Sequence, residues 1–115
     1  MVVNPPPPND ALKGLLGNYV VIDHGAGEYS LLAHLKARTV AVELGERVHQ
    51  DQFVGRIGFS GDSGLHVHVH YQLMDGPNPL VARSLPVYFS GHRLLGSGRR
   101  FVSDALIHTG EFLER

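Results

Sequence analysis

Residues 18–36 read NYVVIDHGAGEYSLLAHLK: an apolar, β-branched run, a glycine-rich turn and a second apolar run. Residues 18–23 carry Val20, Val21 and Ile22 in succession and read as a strand; Gly25 and Gly27 supply what a tight hairpin turn needs. SLLAHLK, residues 30–36, alternates imperfectly and reads as the returning strand. Downstream, residues 39–64 (TVAVELGERVHQDQFVGRIGFSGDSG) read as a ladder of short strands broken by glycines. LHVHVHYQLMD, residues 65–75, is the clearest strand; GPNP (76–79) turns the chain, and LPVYFSG (85–91) reads as one short strand more. Upstream, DALKGLLG fits a short helical turn, and the four prolines from Pro5 to Pro8 favour an extended segment that joins neither a helix interior nor a sheet centre. Short strands, frequent turns and no convincing amphipathic helix predict an all-β fold built on an antiparallel sheet. No internal repeat is present.

The 115 residues allow one domain with a modest core, and a hydrophobic content of 43% against 18% charged places the chain among globular proteins. The net charge of −1 shows no basic stripe, which argues against nucleic acid or an anionic membrane surface as partner. No apolar run is long enough to span a membrane, and the N-terminus has no signal-peptide pattern. There is no cysteine, so any metal chemistry has to run on histidine and carboxylate. Eight histidines are the compositional oddity.

In a strand over 65–75, His66, His68 and His70 share one face, while Val67, Val69 and Tyr71 take the other. Two histidines at i and i+2 sit about 7 Å apart along the backbone, so their rings can converge on one metal or one substrate group. Imidazole suits zinc, and a catalytic zinc site keeps three protein ligands plus a water. H-x-H strands also occur in cupins, but those follow the pair closely with a Glu; here Gln72 stands nearest, and no Glu comes before Glu111.

Taken together, GNYVVIDHG (17–25), Tyr29 with His34 and Leu35, the glycine-spaced block up to Gly64, and His68-Val69-His70-Tyr71 resemble the lysostaphin/LytM-type zinc metallopeptidases, which hydrolyse peptide bonds of peptidoglycan. The resemblance runs in unbroken order over residues 17–80 and corresponds to the C-terminal two-thirds of that domain. It implies a β-sandwich core with its N-terminal strands missing, divided as a Pro-rich loop or linker (1–16), a partial peptidase domain (17–91) and a tail (92–115). By the same resemblance, His70 is a zinc ligand, and His34 and His68 are the catalytic histidines. Zinc lowers the pKa of its water toward neutrality, one imidazole takes the proton, and a second stabilises the developing charge. His66 has no counterpart in the pattern and is read as a surface residue, with replacement of a lost ligand as the alternative; Val67 stands where the family commonly has Pro. Asp23 and His24 are read as turn residues, and His49, His92 and His108 as solvated side chains.

The resemblance also calls for two zinc ligands from an upstream H-x-x-x-D segment, which MVVNPPPPNDALKGLLG does not contain. The expectation is therefore an incomplete Zn2+ site, with one of three ligands present, and a chain inactive by itself. The competing readings are a non-catalytic module of the same fold that binds cell-wall peptide or regulates another hydrolase, and a histidine-rich metal-binding strand unrelated to peptidase work. Cell-envelope or secreted localisation is implied by the resemblance alone, and exposed sheet edges predict some self-association.

Overall fold

The structure, a computed structural model, describes residues 1–5 and 10–89 and the strand residues 92–95, 101–102, 105–106 and 112–114. It divides into two compact units, residues 1–85 and 86–115. The first holds β1 (Val2–Asn4), α1 (Asp10–Leu16), β2 (Asn18–Gly25), β3 (Glu28–Leu35), β4 (His70–Met74) and β5 (Ser84–Leu85). Its strands form one five-stranded sheet in the order β1-β2-β3-β4-β5, each pair antiparallel. The second unit holds the short strands β6 (Tyr88–Phe89), β7 (His92–Leu95), β8 (Phe101–Val102), β9 (Ala105–Leu106) and β10 (Phe112–Glu114), paired β10-β7-β8 and β6-β9. The fold is all-β, as the strand-and-turn pattern predicts.

The β2–β3 hairpin closes on Ala26 and Gly27, both at positive φ (54° and 77°), as a two-residue hairpin turn requires. The Asp23 carboxylate accepts the Gly25 amide at 2.8 Å and braces that turn. Because the sheet is covered on both faces, β2 is apolar without interruption rather than alternating. Val20 and Ile22 join Val3, Leu35, Val42 and Val48 on one face, whereas Val21 joins Leu12, Leu16, Leu31, Ala33 and Met74 on the other. The first face is covered by the segment after β3, and the second by α1.

Two expectations are corrected. Residues 39–64 form no ladder of strands: the run meets the sheet at the isolated bridges Val2–Arg47 and Leu35–Ile57, through backbone bonds such as Val3 N–H to Glu46 O at 2.9 Å, and by packing Val42 and Val48 on its first face. Local turns also brace the run, with Glu46 accepting the Glu43 amide at 3.0 Å and the Gln52 side-chain amide at 2.8 Å. The histidine strand is also shorter than its pattern, since β4 begins only at His70. His66 lies in a bend and His68 in a single bridge to Gly58, because Leu35 at the end of β3 bridges Ile57 rather than extending the β3–β4 ladder.

The end of α1 is locked to the loop after Phe59 by glycine against glycine. Gly17 and Gly61 both take positive φ (67° and 71°), and a Cβ on Gly61 would meet the Gly17 amide and, at 2.7 Å, the Leu15 carbonyl. The Asp62 amide completes the contact by donating to Leu15 O at 2.9 Å. Gly61→Ala is expected to lower folding stability by about 2–3 kcal/mol, from the left-handed backbone and the overlap together. Urea denaturation measures it, and an unchanged midpoint would mean that this contact does not hold the helix.

Candidate functional site

The site begins with an irregularity in the hairpin. Val20 pairs with Leu32 but Asn18 with Leu35, so Tyr19 alone faces both Ala33 and His34: β3 carries one extra residue. His34 takes a φ of 61° there, a conformation rare outside glycine and characteristic of bulges beside functional sites. Strict alternation would send His34 to the face of Leu32. The bulge turns it instead to the face of Leu31 and Ala33, and Leu35 returns to the cluster that Leu32 packs against. Tyr19 packs beside this point, and burial pushes its phenol above the usual value.

His34 is 5% exposed and its ring is held. Its Nδ1–H donates to the Ser60 carbonyl at 2.8 Å, which leaves Nε2 as the lone-pair nitrogen of the neutral ring. Ser60 is itself fixed, its hydroxyl donating to Leu35 O at 2.6 Å and accepting the Asn18 amide at 3.1 Å. His70 pairs with Ala33 across β3–β4, and paired residues share a face, so His70 lies on the His34 side. The two ring centroids are 6.0 Å apart. His68 comes closer, at 4.9 Å, although it is outside the strand. Its Nδ1–H donates to the His66 carbonyl at 2.8 Å, again leaving Nε2 as acceptor. His70 has the opposite arrangement: Nε2–H donates to Gln72 Oε1 at 3.2 Å, which frees Nδ1.

The structure thus brings His34, His68 and His70 together and leaves His24, His49 and His66 out of the cluster. His66 is exposed and contributes its backbone carbonyl to His68. His24, read from sequence as a turn residue, ends up within β2, where its Nε2 meets the hydroxyl of buried Ser30 at 2.5 Å; Ser30 in turn bonds the Tyr71 hydroxyl at 2.8 Å. Tyr71 pairs with Leu32, so this chain of bonds lies on the far face from His70. His49 bonds the neighbouring Gln50 carbonyl at 3.0 Å. The side chains of His92 and His108 lie outside the described residues.

A cleft of about 310 Å³ opens beside the histidines, with His34, His70 and Gln72 on one wall and leucines of α1 on another. Sequence reasoning missed Ser60 and Asp62, which shape this side of the site. The only signal for them was the glycine spacing around FSGDSG, which marks turns without saying which carbonyl points where.

Peptidase family M23 matches residues 8–81. The chain belongs to that family. The match spans α1, β2, β3 and β4 and contains all three clustered histidines, in line with the resemblance to lysostaphin/LytM-type enzymes and with a peptidase-type function. No curated protein and no solved structure matches the chain significantly. Peptidases of this family are zinc-dependent, yet the described residues do not fit a complete zinc site. Such a site takes three protein ligands, and no three His, Asp or Glu side chains among the described residues are grouped to hold one ion.

The ring orientations are directly measurable. Long-range 15N–1H correlation on the neutral protein should report the Nδ1–H tautomer for His34 and His68 and the Nε2–H tautomer for His70. Ser60→Ala should loosen His34 and cost about 1–2 kcal/mol, since the Asn18 amide and the Leu35 carbonyl both lose a partner. A His34 ring protonated at Nε2 in the wild-type chain would contradict the arrangement described.

Proposed function

We propose that this chain carries the histidine half of a zinc metalloendopeptidase that hydrolyses peptide bonds of peptidoglycan, with His34 and His68 as its catalytic histidines and His70 as its zinc ligand. The observation that carries the reading is the convergence of these three rings at a bulge, each with one nitrogen committed to a carbonyl or amide oxygen and the other left as a lone pair. A neutral imidazole held in this way can accept a proton or a hydrogen bond at a defined atom, which is what peptide hydrolysis asks of its side chains. His34 and His68 offer Nε2 for this task, and the Nδ1 lone pair of His70 is available to a metal. The substrate class and a place in the cell envelope follow from the family alone.

The described residues contribute one of the three ligands, too few to hold a catalytic zinc, and no hydrolytic step is assigned to them. A second reading follows from that shortage: a non-catalytic module that binds cell-wall peptide through the same cleft or regulates another hydrolase. Two measurements separate the readings. The chain alone should release no fragments from cross-linked peptidoglycan with or without added zinc, whereas a longer polypeptide that supplies an H-x-x-x-D segment should do so in a zinc-dependent way. His70→Ala should abolish whatever weak zinc binding the chain retains, measured calorimetrically, and His66→Ala should leave it unchanged. Zinc-dependent cleavage by the chain alone would overturn the incomplete-site reading, and loss of zinc binding in His66→Ala would move the ligand from His70.

A further inference from the structure

We propose that the cleft beside His34 is a subsite for a primary ammonium carried on an aliphatic chain, and that Asp62 is the residue that recognises it. The inference deepens the peptidase reading, on which it rests for supposing that a peptide lies along the histidines.

The cleft combines three properties. Its volume of about 310 Å³ is that of a small-ligand site. Its walls are aliphatic: Leu12, Leu16 and Leu31 are buried beneath it, while Leu15 and Leu80 remain 48% and 53% exposed at its sides. Within this lining Asp62 is the one residue of formal charge. Its backbone amide is occupied by the Leu15 carbonyl, but no cation and no donor among the described residues engages its carboxylate.

A carboxylate beside apolar walls, with no cation among the described residues to answer it, selects its ligand by charge. An anionic group is repelled. A neutral aliphatic group satisfies the leucines but leaves the carboxylate with water alone. An ammonium on an aliphatic stem satisfies both, and it brings donors only, which suits a site whose Asp62 oxygens and His34 Nε2 are acceptors. Two kinds of peptide group have this chemistry: the side chain of a lysine-type diamino acid and the α-amine of an aliphatic N-terminal residue.

Metal-free binding by the full chain tests the proposal. The 15N-labelled protein is titrated with Nα-acetyl-lysine amide, with leucinamide and with the uncharged Nα-acetyl-norleucine amide, following the backbone amides of Leu15, Asp62 and Gln72. At least one charged probe should bind about two- to fivefold more tightly than the norleucine probe, the gain set by one solvent-exposed ion pair. That gain should vanish in Asp62→Asn, which keeps the backbone bond to Leu15, and should shrink as salt is raised in the wild-type chain. A preference for the lysine probe identifies a side-chain ammonium as the ligand, and a preference for leucinamide identifies an N-terminal one. Equal binding of all three, no binding by any, a gain insensitive to salt, or a gain that survives in Asp62→Asn overturns the proposal. Since neither metal nor hydrolysis enters the readout, failure here leaves the peptidase reading intact, and failure of the peptidase assay leaves this result standing.

Discussion

The extra residue of β3 opposite Tyr19 is where the sheet and the histidine site depend on each other. In a regular strand His34 would sit beneath the segment after β3, among Val42 and Val48, and an imidazole there would be buried without a partner. The left-handed backbone at His34 avoids that cost and delivers the ring to the face that α1 covers, beside the cleft. It also restores the alternation at once, so Leu35 still packs with Val20 and Ile22. Such a conformation persists only where its surroundings over-determine it. Here the Ser60 carbonyl holds the ring, the Ser60 hydroxyl holds Leu35 O, and the Asn18 amide reaches the same hydroxyl.

Ser60 in turn depends on the contact of Gly17 with Gly61, which lets the C-terminus of α1 lie against the loop without an intervening side chain. Helix, loop and bulge therefore form one unit. The helix covers the second face of the sheet with Leu12 and Leu16, its end locates Ser60, and Ser60 sets the tautomer of His34. The same approach places Asp62 beside the leucines of α1. A cleft walled by core side chains on one side and by imidazoles on the other is the geometric result.

The histidines differ in how they are held, and the difference follows from the backbone beneath them. His70 belongs to β4, and its ring is anchored by Gln72, two residues on and on the same face. His68 lies before the strand begins, and its ring folds back onto the carbonyl of His66. The repeated H-x-H spacing thus conceals two environments. In both cases the residue two positions away supplies the oxygen, once from a side chain and once from the main chain.

Much of this was legible in the amino-acid sequence. The hairpin follows from three β-branched residues, a turn at positive φ and a second apolar run, all local preferences. That His34 belongs with His68 and His70 is what the resemblance to the lysostaphin/LytM-type pattern implies, and the rings do lie together. Residues 39–64 depart from the strand ladder their pattern predicts, because glycine-punctuated apolar runs look alike whether they pair as strands or merely lie against a sheet, and only the available hydrogen-bonding edges decide between the two. The start of β4 at His70 is equally hidden, since alternation continues back through Leu65 although Leu35 bridges Ile57 and His68 bridges Gly58. Sequence alone therefore marked the histidines that the structure brings together and the hairpin that carries one of them. Tertiary structure alone decided the face that His34 takes, the nitrogen it presents and the carboxylate beside it. Those outcomes turn on one inserted residue and on a contact between Gly17 and Gly61, forty-four positions apart, whose meaning exists only once the chain has closed on itself.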